Sequence, residues 1–104
     1  MSLDTTLDKI LKKHDFLGKQ MLENAGNSEI FIKLSKEFSD LEPFVHIIHR
    51  YKKALKDLEE LDAVISDASA EPEFMDLAKL EIEQLEKLLP TLEKEIKLQL
   101  LPPD

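Results

Sequence analysis

The apolar residues of this chain recur at alternating spacings of three and four over three long stretches. This spacing places side chains in one stripe along an α-helix, as in a coiled-coil seam. A single stripe cannot bury itself, so each predicted helix needs another helix as its partner. We therefore predict an all-α fold of three antiparallel helices with coiled-coil-like packing, in which a helical hairpin follows an N-terminal helix. The predicted helices cover residues 4–22, 28–66 and 72–99, in a single domain that spans 1–104.

The ends of these helices are predicted from capping and loop residues. Asp4 is a suitable N-cap for the first helix, and Gly26 can adopt a positive φ beyond its end. The short linker that follows favours an antiparallel second helix, which we expect to begin at Ser28. Pro72 suits the first turn of the third helix, because the N–H that proline lacks would be unpaired there. Glu71 before it is a weaker cap than aspartate.

Two prolines lie inside the predicted helices. Pro43 removes one hydrogen-bond donor and its ring clashes with the carbonyl of Ser39, so we predict a kink or a restart near residues 40–43. Pro90 lies within the apolar stripe of the third helix, and we predict a bend between residues 86 and 90. The helix should continue past this bend, because the stripe resumes at Leu92 and Ile96.

Composition excludes several classes of function. The chain has 104 residues and no cysteine, so it can form neither disulfides nor thiolate metal sites. No apolar run approaches the ~20 residues of a membrane span, and we see no signal peptide before the first helix. The phosphate-binding, metalloprotease and serine-hydrolase motifs are also absent from the sequence. We therefore expect no catalytic site, no cofactor and no membrane partner.

Charge is unevenly distributed along the chain, whose net charge is -8. Thirteen acidic residues and three lysines lie between residues 57 and 95, whereas six basic and three acidic residues lie between 33 and 56. The acidic total argues against DNA or non-specific nucleic-acid binding. A local stripe on the second helix could still contact phosphate, and its members are His46, His49, Arg50, Lys53 and Lys56. The alternative is an ordinary solvated face, which the overall acidity favours.

Histidines offer the other candidate chemistry. His46 and His49, with Glu42 four residues before His46, share one face of the second helix and could in principle hold a divalent metal. No fourth ligand is apparent, and zinc sites use three or four protein ligands, so we predict no metal site. His14 lies in the apolar stripe of the first helix, where we expect a partly buried, hydrogen-bonded side chain and not a ligand.

Three short strings carry a family resemblance. Residues 34–43, LSKEFSDLEP, resemble the segment LSKEYSDLEP of bacterial peptide chain release factor 1, a class I release factor. Residues 71–78, EPEFMDLA, look like the opening of a helix in that family, and residues 100–104, LLPPD, look like its LLPKD exit. The strings occur in the family's order and at similar spacing. The resemblance covers essentially the whole chain as the N-terminal domain, which is about the first third of the family's length.

The chain departs from the family at three positions. Pro103 stands where the family has lysine, Glu71 replaces the usual aspartate, and Pro90 interrupts the third helix. Neither the Gly-Gly-Gln motif of peptide release nor the Pro-x-Thr tripeptide of codon reading occurs in the chain. The resemblance therefore implies that this part of the factor is not catalytic.

The resemblance implies a cytoplasmic factor that ends translation at UAA and UAG codons. Its N-terminal domain would contact the stalk base of the large ribosomal subunit and take part in the interplay with the class II release-factor GTPase. On this hypothesis Arg50, Lys53 and Lys56 are the candidate ribosome contacts. The competing hypothesis is a coiled-coil scaffold or self-association module unrelated to translation.

Overall fold

The computed structural model describes residues 2–102, which form three α-helices. Helix α1 spans Leu3–Glu23, α2 spans Ser28–Ser66 and α3 spans Pro72–Leu100. No strand occurs within the described residues. The all-α prediction is confirmed, and every predicted helix boundary lies within one residue of the observed one. Pro103, one of the departures from the family pattern, lies outside the described range.

The chain divides into two compact units, and the boundary falls inside α2 between Ile48 and His49. The first unit contains α1 and the beginning of α2, and the second contains the rest of α2 and α3. Each unit is therefore a pair of helices joined by a short loop. The single domain expected from chain length stays a prediction.

The first unit pairs α1 with the beginning of α2 in antiparallel orientation. His14 lies beside Phe38, while Leu22, nearer the loop, lines the same groove as Phe31. The large buried side chains of this unit come from both helices, and they are Leu7, Leu17, Phe44, Val45 and Ile48. Four of these side chains belong to the stripes that periodicity predicted on α1 and α2, whereas Phe44 lies outside them.

The second unit pairs the rest of α2 with α3, again antiparallel. Leu61 and Val64 line a groove with Phe74 near the loop, whereas Ala54, farther from it, lines a groove with Leu85. The buried side chains of this unit are Tyr51, Ala54, Ala78, Leu92 and Ile96. Leu92 and Ile96 belong to the predicted stripe of the third helix, which is confirmed at these positions.

The cap of α1 differs from the prediction. Ser2 is the N-cap, and its Oγ accepts a hydrogen bond from the N–H of Thr5 at 3.3 Å. Asp4 lies in the first turn instead, where its negative charge complements the positive end of the helix dipole. Because helix α1 begins one residue earlier than predicted, a different side chain takes the capping position.

The linker between α1 and α2 is closed by asparagines and not by glycine. No residue of the described range has a positive φ, so the prediction for Gly26 is wrong. The N–H and Nδ2 of Asn24 both donate to the carbonyl of Gln20, at 3.0 and 2.8 Å. Asn27 Oδ1 accepts the N–H of Ile30 at 3.3 Å, at the start of α2. These side chains supply partners for helix-end groups that would otherwise be unpaired.

Both interior prolines lie within continuous helix. Helix α2 is uninterrupted at Pro43, which excludes the restart and leaves the kink of the two predicted alternatives, and α3 continues past Pro90 as expected. An interior proline costs about 3 kcal/mol. Phe44 and Val45, which follow Pro43, are both buried, and burial of large side chains can outweigh this cost. The bends at the two prolines stay predictions.

Candidate nucleic-acid interface

The three candidate cations lie in the second unit, on the part of α2 that precedes the acidic run. Arg50, Lys53 and Lys56 are all solvent-exposed. A step of three residues turns a helix by about 300°, so these side chains drift over about a third of its circumference. The structure therefore brings the three cations onto one side of α2, as the sequence predicted.

Lys53 already has an anionic partner. Its Nζ donates to Asp57 Oδ2 at 2.8 Å, one helical turn away. This hydrogen bond, together with the charge of the Asp57 carboxylate, raises the pKa of Lys53 above its usual value, and Glu60 adds a smaller effect. Lys53 therefore stays protonated at neutral pH, but its charge is locally compensated by Asp57.

Arg50 and Lys56 differ from Lys53 in this respect. Within the described part of the chain, neither side chain is within ion-pair distance of a carboxylate. The planar guanidinium of arginine can donate two parallel hydrogen bonds to a phosphate, whereas the lysine ammonium acts as a point charge. Arg50 is thus the best-suited of the three cations for a geometrically specific phosphate contact.

Two adjoining grooves follow the same face of the α2–α3 pair. The first has a volume of 180 Å³ and is lined by Arg50, Lys53, Ala54 and Asp57 of α2 with Leu85 and Leu88 of α3. The second has a volume of 300 Å³ and shares Asp57, Leu85 and Leu88, but adds Glu81 and Gln84. The face therefore changes from cationic to anionic at Asp57. A polyanion would be attracted at one end of this face and repelled at the other.

The acidic residues of α3 lie on its solvent-exposed surface. Glu81, Glu83 and Glu86 are exposed. Glu83 forms an ion pair with Lys87 at 3.6 Å, within the same helix, and both side chains are largely exposed. Such pairs contribute little to stability. This surface is a solvated anionic face, and a polyanion would be repelled from it.

The predicted histidine face is not assembled as a metal site. No group of three or more His, Cys, Asp and Glu side chains among residues 2–102 is arranged to hold a metal ion. The carboxylate of Glu42, which shares the helix face of His46 and His49, approaches His14 of α1, with Oε1 at 3.2 Å from Nε2.

His14 is the centre of a contact that sequence reasoning did not find. Its ring stacks on Phe38 with centroids 4.1 Å apart and an angle of 20° between the planes. The side chain is 19% exposed, which confirms the partial burial expected of it. Its Nε2 is close to Glu42, but the approach lacks hydrogen-bond geometry, so the expected hydrogen bond is not formed at this atom. Phe38 and Glu42 are four residues apart, a spacing that could have indicated a shared contact.

None of the helices within residues 2–102 is both long enough and apolar enough to cross a bilayer.

Comparison with known proteins gives a consistent result. The PCRF domain family matches residues 10–104. The chain is 38% identical over its whole length to Peptide chain release factor 1 of Anaplasma phagocytophilum, and 39% identical over 99% of its length to that of Rickettsia bellii. It is also 38% identical over its whole length to Peptide chain release factor 1 of Rhodospirillum rubrum. The chain spans only 28–29% of the length of these curated relatives. No solved structure gives a significant match.

Proposed function

The chain belongs to the PCRF domain family, and from this premise we propose that it is the N-terminal, ribosome-interacting domain of a peptide chain release factor that terminates translation. The observation that carries the proposal is the identity of 36–39% along the whole chain to bacterial proteins named Peptide chain release factor 1. Because the chain spans less than a third of those relatives, the activity belongs to the longer factor.

The longer factor would act in the cytoplasm at UAA and UAG codons. Its codon-reading and peptide-releasing motifs do not occur in these 104 residues, so the domain itself is non-catalytic. We propose that residues 1–104 serve as one helical domain that binds the stalk base of the large ribosomal subunit. The class II release-factor GTPase is the second proposed partner.

The basic segment of α2 supplies the chemistry of the proposed ribosome contact. Arg50, Lys53 and Lys56 are exposed and lie on one side of the helix. Each phosphate neutralised by a cation releases counterions, so the affinity should fall as salt rises. Three cations provide only a small part of such an affinity, and the isolated domain should therefore bind weakly.

Co-sedimentation of the 104-residue protein with bacterial 70S ribosomes tests the proposal. We expect weak binding that decreases between 50 and 200 mM salt, by analogy with other phosphate-binding proteins. We also expect no stop-codon-dependent peptide release above background. Release by this protein would contradict the assignment of a non-catalytic domain. Self-association without any ribosome binding, measured by analytical ultracentrifugation, would favour the scaffold hypothesis.

A further inference from the structure

The cationic groove on α2 contains its own anion. Asp57 lies at the point where the groove lined by Arg50 and Lys53 meets the groove lined by Glu81 and Gln84. Its carboxylate accepts the hydrogen bond of Lys53 at 2.8 Å. Any phosphate that approaches Arg50 along this groove therefore meets Lys53 already paired with a carboxylate.

We propose that the Asp57 carboxylate competes with RNA phosphate for Lys53 and so masks this cation. Arg50 and Lys56 then provide the ribosome contact, while Lys53 contributes only when its ion pair opens. This inference rests on the proposed function, and it specifies which cations of the binding surface are available to phosphate. It also predicts that the three candidate cations are not equivalent.

The Lys53–Asp57 ion pair can mask Lys53 and still be weak enough for a phosphate to displace the carboxylate. Lys53 precedes Asp57 by four residues, and this order is the less favourable orientation of an i,i+4 pair on a helix. The Lys53 side chain is 75% exposed and that of Asp57 is 36% exposed, so water and salt reach both groups. A surface pair of this kind is weak. A phosphate with a well-placed second contact, such as the guanidinium of Arg50, could displace the carboxylate.

The raised pKa of Lys53 provides supporting evidence. Its largest cause is the hydrogen bond to Asp57, followed by the charge of that carboxylate. Replacing Asp57 by asparagine should therefore lower the pKa of Lys53. Titration of the lysine side-chain amines by NMR measures this change without any ribosome, and so tests the ion pair separately from the proposed function.

Affinity for bacterial 70S ribosomes, measured with the 104-residue protein at several salt concentrations, tests the competition. Asp57→Asn should tighten binding about two- to fivefold, because it removes a carboxylate that competes with phosphate for Lys53 with the strength of an ordinary surface ion pair. It should also steepen the logarithmic salt dependence by roughly one unit, since one more cation becomes available to phosphate. The matched control is Asp62→Asn, which makes the same change in charge at an exposed position of the same helix.

A double-mutant cycle distinguishes masking from a general loss of negative charge. Lys53→Gln should change the affinity less than twofold in the wild-type background, but should abolish the gain in the Asp57→Asn background. Equal effects of Asp57→Asn and Asp62→Asn, or a full effect of Lys53→Gln in the wild type, would overturn the inference. If no variant binds ribosomes but the pKa of Lys53 still falls, the ion pair is confirmed and the proposed function is what fails.

Discussion

The two compact units differ in how polar side chains connect their helices. In the first unit, His14 of α1 lies 3.2 Å from Glu42 of α2, next to the ring of Phe38, while the Lys19–Asp15 pair lies within α1. In the second unit, the Lys53–Asp57 and Lys87–Glu83 pairs each lie within a single helix. In both units the buried side chains are aliphatic or aromatic. The first unit adds the polar contact of His14 with Glu42 between its two helices, whereas the Lys53–Asp57 and Lys87–Glu83 pairs of the second unit each stay on the surface of one helix.

This difference indicates which residues are available to a partner. A polar side chain that packs two helices together cannot bind elsewhere without loosening that packing. Charged side chains on the surface of one helix can be replaced with little loss of stability, since exposed substitutions usually change the free energy of unfolding by about 0.5 kcal/mol or less. The second unit should therefore tolerate charge changes that alter binding, and its stability should depend on its apolar interior.

Substitutions in the apolar interior of the second unit should reduce stability more than any other change considered. Ile96 is fully buried, and Ile96→Ala should lower the free energy of unfolding by about 2–5 kcal/mol through lost burial and the cavity left behind. Leu98, two residues further and 59% exposed, is the control, and Leu98→Ala should cost far less. Urea denaturation followed by circular dichroism measures both. Equal costs at the two positions would contradict the observed burial.

An intermediate effect concerns the aromatic contact of the first unit. A Cβ at Gly18 would lie 3.3 Å from Cε2 of Phe38, whose ring is stacked on His14. Alanine gains about 1 kcal/mol over glycine in helix propensity, but here the ring must move. Gly18→Ala should therefore be nearly neutral in the wild type.

The same substitution should stabilise the protein once the ring is removed. In a Phe38→Leu background, which itself should cost about 1 kcal/mol in lost aromatic contact, Gly18→Ala should recover most of its propensity gain. Thermal unfolding of the four proteins in this cycle provides the measurement. A full gain from Gly18→Ala in the wild type would show that the stacked ring moves freely.

The smallest expected effect lies in the loop between α2 and α3. The hydroxyl and N–H of Ser69 both donate to Asp67 Oδ1, at 2.7 and 2.9 Å, and these bonds lower the pKa of Asp67 below its usual 3.8. The hydroxyl has the larger effect, so Ser69→Ala should raise this pKa towards 3.8. A carboxylate with a lowered pKa stabilises the fold above pH 3.8 and loses this contribution as pH falls through its folded-state pKa. An NMR titration that gives the same pKa in both proteins would contradict the assigned cause.

Much of the fold follows from local sequence. The three-and-four spacing and the loop residues predicted the helices to within one residue, because each helix carries its own stripe. Local rules failed where packing opposed them. The rule that a proline interrupts a helix predicted a kink or a restart near Pro43; the helix does not restart, and Phe44 and Val45 are buried beside the proline. Asn24 and Asn27 provide hydrogen-bond partners for the helix ends at this linker, whereas the sequence predicted a positive φ at Gly26.

The candidate site was predicted less completely than the fold. Sequence placed Arg50, Lys53 and Lys56 on one side of α2, because helical periodicity fixes that side. It did not assign Asp57 to Lys53, since the aspartate was counted only as part of an acidic run. The spacing of Phe38 and Glu42 could have indicated that they share a contact, but it could not identify His14 as their partner, because that depends on the register of two antiparallel helices, which periodicity alone does not fix.

We propose that the ribosome is bound through the basic segment of α2 and not through the acidic face of α3. The most direct test is the association rate with ribosomes, measured by stopped-flow in a full-length release factor that carries this domain. Arg50→Glu with Lys53→Glu should slow association and flatten its salt dependence, because electrostatic attraction mainly sets the on-rate. Glu83→Lys with Glu86→Lys reverses two charges on the acidic face and is the control, which should not slow association. If both double variants bind with the wild-type rate and salt dependence, the basic segment is only a solvated face and does not contact the ribosome.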